Sequence, residues 1–219
     1  MIPSMNLFTV KGLNEAGERF LGQSISYRLD DRLYLNITNS CTLECVFCPK
    51  SRSDYRLGKQ DLQLSRRPEA GDIIAAVPDP AKHAEVIFSG FGEPTLRLNV
   101  LLEVARDLKA RGGRVRVDTD GLANLVHDRN VLGSMAGVVD SLSVSMNAQN
   151  EAVYEQYCQP NLPGSYDAML AFLRDATHYV PQVTATAIIG LRGVDISACR
   201  RIAEQAGADF RGRTLQVID

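Results

Sequence analysis

The chain has 219 residues, which is long enough for one α/β domain with a sizeable core and too short for two such domains. Its 24 Lys and Arg residues are balanced by 26 Asp and Glu residues, which gives a formal net charge of -2 at pH 7. That balance lacks the basic excess that broad nucleic-acid binding requires, so we do not expect a general nucleic-acid-binding protein.

The N-terminal stretch MIPSMNLFTVKGLNEAGERF lacks a basic region followed by an apolar run, and no later segment approaches about 18 consecutive apolar residues. We therefore predict a cytoplasmic protein without a membrane span. Disulfides rarely persist in that reducing compartment, so the five cysteines are better interpreted as metal ligands or redox groups.

Short β-rich runs alternate with longer helical patterns over most of the chain, as in repeated βα units on a parallel sheet. In chain order the predicted strands are RLYLNI (32–37), EVIFSG (85–90), RVRVDT (114–119), DSLSVSM (140–146), VTATAII (183–189) and RTLQVI (213–218). The segments between them carry apolar residues at helical spacing. After Ser165, for example, Met169, Phe172 and Ala176 fall on one face.

Six strands are too few for a closed eight-stranded barrel, which usually takes about 250 residues. The predicted fold class is therefore α/β, an open partial (β/α)6 TIM-like barrel over residues 31–219. Residues 1–30 lie outside the alternation, and we predict that they form a short N-terminal extension.

Three cysteines lie within eight residues in the stretch CTLECVFC, on a loop that follows the first predicted strand. A structural zinc site wants four ligands, yet the remaining thiols are distant, at Cys158 and Cys199, and the histidines show no paired spacing. Ferredoxin-type clusters also take four thiolates, at other spacings. Three local ligands, Cys41, Cys45 and Cys48, suit a [4Fe-4S] cluster with one iron left free.

The CxxxCxxC spacing, with Phe47 just before the last cysteine, resembles that of the radical S-adenosylmethionine (SAM) superfamily. The resemblance implies a partial barrel of the radical SAM type and a free iron that is chelated by the amino and carboxylate groups of SAM. Reduction of the cluster would then cleave SAM to a 5′-deoxyadenosyl radical that abstracts hydrogen from a substrate. The alternatives are a zinc protein and a non-catalytic iron–sulfur protein that transfers electrons or stabilises a complex.

The end of the second predicted strand carries Gly90-Phe91-Gly92-Glu93-Pro94. This run resembles the GGEP motif of the superfamily, which contacts the SAM amino group, with Phe91 in place of the second glycine. Glycines at a strand end allow backbone carbonyls to approach a ligand closely. The alternative interpretation is a plain Gly-Pro turn.

Ligands of parallel α/β sheets bind at the carboxyl ends of the strands, so polar residues at the other strand ends are further candidates. By resemblance, ribose hydroxyls and the SAM carboxylate would be bound by Asp118, Thr119, Ser143, Ser145 and Asn147. The backbone from Ile188 to Gly190 would flank adenine, with Phe47 packed nearby. Each polar residue has an alternative role as a helix cap or turn former.

Within the superfamily, the sequence most resembles the small TatD-associated, or TatD-linked, radical SAM proteins, a resemblance that implies no particular reaction. We further predict an electron donor such as flavodoxin or ferredoxin. The substrate is unidentified and could be a small molecule, a nucleotide, an anionic group or a partner protein. The open side of the barrel could be covered by that partner or by a second copy, as in a homodimer.

The segment 50–67 directly follows the cysteines and is basic. Its cations, Arg52 and Arg56 among them, could hold the SAM carboxylate or an anionic substrate, whereas the alternative is a solvated loop. Of the remaining residues, Cys199 is predicted to be a core residue, Cys158 is a candidate active-site thiol, and His127 is expected to be structural or superficial.

Overall fold

The computed structural model describes residues 24–57 and 60–214. Its strands are β1 Ser26–Leu29, β2 Arg32–Leu35, β3 Arg56–Leu57, β4 Gln60–Asp61, β5 Val86–Phe88, β6 Val115–Thr119, β7 Ser141–Ser145, β8 Gln182–Ile189 and β9 Asp209–Thr214. Its α-helices are α1 Ala70–Ala75, α2 Leu98–Ala110, α3 Ala123–Val126, α4 Leu132–Met135, α5 Glu151–Cys158, α6 Ser165–Ala176 and α7 Ile196–Gln205. Short 3₁₀ helices span Pro49–Arg52, Pro80–Lys82 and Pro94–Arg97.

Within the described residues, the main sheet has seven strands in the order β1-β2-β5-β6-β7-β8-β9, and β3 pairs with β4 in a separate hairpin. From β2 to β9 all neighbouring strands of the main sheet are parallel. The sheet ends at β1 on one side and at β9 on the other, so it is open. This arrangement confirms the predicted α/β fold with six parallel strands in a partial barrel.

The strand β1 was not predicted, because residues 1–30 were assigned to an extension. It runs antiparallel to β2 through a two-residue turn at Asp30 and Asp31, and Asp30 adopts a left-handed backbone with φ of 54°. The paired rings of Tyr27 and Tyr34 stack with centroids 5.0 Å apart. Residues 1–23 of the predicted extension lie outside the described residues.

The last strand begins four residues earlier than predicted, since β9 is Asp209–Thr214 and the predicted run covered residues 213–218. A left-handed Gly207, with φ of 76°, follows α7, and β9 pairs in parallel with β8 from Asp209 onwards. The charged residues of β9 hide its strand character from a search for apolar alternation. Residues 215–219 lie outside the described residues.

The core lies between the outer face of the sheet and the helices. On β6 the side chains of Val115 and Val117 are fully buried, and in α2 Leu101 and Leu108 are buried too. Alternate residues of a strand point to opposite faces, so the intervening Arg116 and others like it face the barrel interior. The inner face of the sheet therefore carries polar side chains, which are suited to ligand binding and do not form a packed apolar centre.

Among the described residues, no helix combines the length and apolar character that crossing a membrane would need.

Candidate functional site

A cavity of about 660 Å³ opens at the carboxyl ends of the parallel strands. Its wall combines the cysteine loop after β2, the glycine-rich turn after β5 and the ends of β6 to β9. The predicted site residues that line it are Cys41, Cys45, Phe47, Cys48, Gly90, Phe91, Gly92, Glu93, Asp118, Thr119, Ser145, Asn147 and Ile188. The fold therefore brings together residues from five separate segments of the chain.

The cysteine loop is held in place by the carboxyl end of α5. The backbone N–H of Glu44 donates to the carbonyl oxygen of Cys158 at 3.1 Å, and that of Val46 donates to Tyr157 at 3.0 Å. Within the loop, the N–H of Cys48 donates to the carbonyl of Cys45 at 2.9 Å, which brings these two cysteines close along the chain. All three cysteines of the loop are free thiols and partly buried.

The surroundings of the three thiols favour their protonated forms. Burial, together with the nearby Glu93 and Asp120, raises the pKa of Cys41 to about 12. A hydrogen bond with Cys158, followed by burial, raises the pKa of Cys45, and burial raises the pKa of Cys48. Metal binding to such thiols must release their protons.

The described part of the chain contains no group of three or more His, Cys, Asp or Glu side chains arranged around one metal-ion position. A four-iron cluster makes a different demand, because each thiolate binds a different iron. Three thiols spread along one cavity wall fit that demand.

Cys158 lies behind the cysteine loop rather than in the cavity wall. It is fully buried at the end of α5, and its sulfur accepts a 3.6 Å hydrogen bond from Asn147 Nδ2. The neighbouring Tyr154 hydroxyl is also buried, and none of the described residues forms a hydrogen bond with it. Cys158 is therefore a buried hydrogen-bond partner of Cys45 and not a lining residue of the cavity. Cys199 is a buried residue of α7, as predicted.

The two glycines of the GFGEP run are required by contacts with the chain itself. A Cβ at Gly92 would lie 2.1 Å from the carbonyl oxygen of Thr38 and 2.7 Å from that of Ser40. A Cβ at Gly90 would lie 2.4 Å from Asn36 Oδ1. The sequence argument credited these glycines with room for a ligand, whereas the structure shows that they let this turn pack against the chain that leads to Cys41.

Glu93 is buried, and its carboxylate accepts four hydrogen bonds. The donors are Thr95 N at 3.0 Å, Thr95 Oγ1 at 2.7 Å, Thr119 Oγ1 at 2.9 Å and Asp120 N at 2.7 Å. Burial, and then the neighbouring Asp120, raises the pKa of Glu93. Glu93 therefore joins the turn after β5 to the end of β6, besides contributing to the cavity wall.

Two predicted site residues do not line this cavity. Ser143 shares an inward face of β7 with Ser145 but lies two residues closer to the start of the strand, and it lines a second cavity at the opposite end of the barrel. Gly190 follows the end of β8 in an exposed turn with φ of 92°.

Sequence reasoning missed several residues of the wall, most notably Arg213 and Asp120. Arg213 of β9 reaches Asn147, with 3.4 Å between Nη2 and Oδ1, and Asn147 itself has a left-handed backbone with φ of 60°. Asp120 accepts a short hydrogen bond from the Thr42 hydroxyl, beside Cys41 in the chain. The run DTDG contains Asp120, so the sequence could have indicated this residue. Arg213 could not be placed, because the last strand was predicted four residues too late.

The ring of His127 forms a hydrogen bond with the carbonyl of Thr95 at 2.8 Å, which agrees with the predicted structural role of this histidine.

The fold and this cavity define an open parallel barrel with three thiols at the strand ends, and comparison with known proteins identifies the class. A model of the Radical SAM superfamily matches residues 35–206. Because that match covers most of the chain, the protein belongs to the radical SAM superfamily.

Among curated proteins, the chain is 26% identical over 169 residues to a probable dual-specificity RNA methyltransferase RlmN from Parasynechococcus marenigrum, covering 72% of this chain and 46% of that protein. It is 30% identical over 92 residues to a tungsten-containing aldehyde ferredoxin oxidoreductase cofactor-modifying protein from Pyrococcus furiosus, covering 41% and 23% of the two chains. The chain thus spans less than half the length of these relatives.

Solved structures share the fold. SuiB from Streptococcus suis, bound to S-adenosylmethionine, superposes with a TM-score of 0.61 at 10% identity, covering 84% of this chain and 40% of that one. Methylornithine synthase (PylB) gives 0.59 at 15% identity, covering 84% and 53%. At these identities the likeness concerns the fold.

Proposed function

We propose that this protein is a radical SAM enzyme that holds a [4Fe-4S] cluster through Cys41, Cys45 and Cys48 and binds SAM in the same cavity. The proposal rests on one observation. The three thiols and the GFGE turn at residues 90–93 line the same cavity, which has a volume of about 660 Å³. A non-catalytic iron–sulfur carrier would not need the GFGE turn beside its cysteines.

The two predicted cofactors are supported by family membership and by the fold neighbours. SuiB is described with bound S-adenosylmethionine, and the methyltransferase TsrM from Kitasatospora setae, with a TM-score of 0.54, is described with a [4Fe-4S] cluster. When bound, the two groups would supply reductive cleavage of SAM to a 5′-deoxyadenosyl radical, which abstracts hydrogen from the substrate.

The residues of the chain have separate tasks in this proposal. The three cysteines bind iron, while the polar strand ends, Asp118, Ser145 and Asn147, hold the ribose and carboxylate of SAM. The partly apolar side of the cavity, with Phe47 and Ile188, packs against adenine.

The substrate stays open within this proposal. A structure of SuiB is described with its precursor peptide SuiA, and the RlmN relative is named as an RNA methyltransferase. Membership of the TatD-associated subgroup, a cytoplasmic location, reduction by flavodoxin or ferredoxin, and a homodimer stay predictions.

The proposal is tested by reconstituting the chain anaerobically with iron and sulfide and then adding SAM, with and without dithionite. We expect saturable SAM binding in both samples and 5′-deoxyadenosine, detected by chromatography, only after reduction. A fully loaded four-iron protein that neither binds nor cleaves SAM would contradict the proposal and favour a structural or electron-transfer centre.

The basic segment supplies a matched pair of arginines for a second test. Arg56 lines the cavity, whereas Arg52 lies in the exposed 3₁₀ helix and does not. We expect Arg56→Gln to weaken SAM or substrate binding by about three- to tenfold, because a charge-assisted contact at a partly solvated site is lost. Arg52→Gln removes the same charge and should leave the dissociation constant unchanged. Equal effects of the two substitutions would show that only the overall charge of the segment matters.

A further inference from the structure

A second cavity, of about 370 Å³, lies at the other end of the barrel, where the parallel strands begin. It shares no lining residue with the cysteine-lined cavity. Among the described residues, four arginines line it, Arg32, Arg114, Arg116 and Arg211, together with one acidic residue, Glu85. The proposed function uses none of these residues.

The four arginines of this second cavity outnumber the carboxylates that pair with them, although Arg116 also bonds Asp118 at 2.8 Å and Arg32 lies 3.7 Å from Asp31. The Glu85 carboxylate is shared among three guanidinium groups, with 3.4 Å to Arg32 Nε, 3.6 Å to Arg114 Nε and 3.5 Å to Arg116 Nη1. The Arg211 guanidinium makes no hydrogen bond or ion pair with the part of the chain that the structure describes. The guanidinium groups thus remain in excess over their carboxylate partners and repel one another, so an additional anion would be attracted.

The neutral groups of the cavity are suited to the same ligand. Ser143 and Thr184 add hydroxyl groups to its wall, and Ser143 is buried. The arginines come from β2, β6 with its preceding residue, and β9, so their donors face the cavity from several directions. A planar carboxylate is matched by one guanidinium fork, whereas a tetrahedral phosphate accepts hydrogen bonds from many sides.

We propose that this second cavity binds a phosphate group, such as that of a phosphomonoester or diphosphate. Its volume lies within the range of small-molecule sites. The inference rests on the arginines and hydroxyl groups of this cavity and not on the proposed SAM chemistry. The two cavities share no lining residue, although the ion pair of Arg116 with Asp118 joins their walls.

The test is calorimetric titration of the anaerobically reconstituted full chain with inorganic phosphate, with pyrophosphate and with acetate, all at constant ionic strength. We expect saturable binding of both phosphates, tighter for pyrophosphate, and weaker binding of acetate. Saturating SAM should leave phosphate binding unchanged. Absence of saturable binding, equal binding of acetate, or competition by SAM would overturn the proposal.

Substitutions locate the binding. Arg114→Gln and Arg211→Gln, both at solvent-accessible positions, should each weaken pyrophosphate binding by about tenfold. Arg106→Gln, on the exposed face of α2, removes the same charge outside the cavity and should have no effect. Glu85→Gln removes the competing carboxylate, so it should tighten binding even if it lowers thermal stability. Weaker binding in Glu85→Gln, or an equal loss in Arg106→Gln, would show that the arginine cavity is not the site.

Discussion

Replacing any one of Cys41, Cys45 or Cys48 by alanine should reduce bound iron and sulfide to background and abolish the brown absorption of the reconstituted protein. Changes to residues that merely contact metal ligands cost roughly 10- to 100-fold in affinity or activity, so loss of a ligand should lower deoxyadenosine formation by more than about 100-fold. The measurement is iron and sulfide analysis beside a chromatographic assay of the same samples.

The two remaining cysteines are the controls. Cys199 is buried in α7 and does not line the cavity, so Cys199→Ala should retain the cluster. Cys158 lies against Cys45 but behind the cavity wall, so Cys158→Ala should also retain iron, with circular dichroism confirming that both variants fold. Loss of iron in Cys158→Ala would instead make it a fourth ligand, which would leave no free iron for SAM and contradict the proposed function.

The cysteine loop and the glycine-rich turn could be predicted from sequence because each is a local pattern. The spacing of three thiols over eight residues is retained in any fold, and strand alternation placed both segments at strand ends. The same reasoning placed Asp118, Thr119, Ser145 and Asn147 in the wall of one cavity. Local patterns thus predicted the parts of the site whose position depends only on which end of a strand they follow.

Depth along a strand could not be predicted in this way. Ser143 and Ser145 point to the same face, and only the pairing of β7 with its neighbours decides which end of the barrel each one serves. Arg213 was missed for a related reason. The strand β9 faces a polar barrel interior with Arg211 and Arg213, so it lacks the apolar alternation that identifies strands in sequence.

Contacts between residues that are distant in the sequence could not be predicted either. The reason for glycine at position 92 is the carbonyl oxygen of Thr38, which is more than fifty residues away in the chain. The sequence shows that a glycine stands at position 92 but not what it contacts in the fold. For that reason the missing Cβ was explained by ligand access. The contact makes a quantitative prediction that ligand access would not make.

We expect Gly92→Ala to be strongly destabilising, by about 3 kcal/mol in the free energy of unfolding, at the upper end of the range for overpacked sites. The added Cβ would meet two backbone oxygens, those of Thr38 and Ser40, and neither can rotate away as the tip of a side chain would. Relief requires a shift of the chain that leads to Cys41, so cluster loading should fall as well. Denaturant unfolding of the cluster-free protein measures the first effect and iron analysis the second.

Gly71→Ala is the matched control. A Cβ at Gly71 in α1 would meet no heavy atom of the described residues within 4 Å, apart from its chain neighbours and the backbone of its own helix. Alanine is the better helix former, so this substitution should raise the free energy of unfolding by up to about 1 kcal/mol. If Gly92→Ala were as stable as Gly71→Ala and lost only SAM binding, the glycine would serve ligand access after all. Loss of stability before any cofactor is added would show instead that the packing of this turn against the cysteine loop is what builds the site.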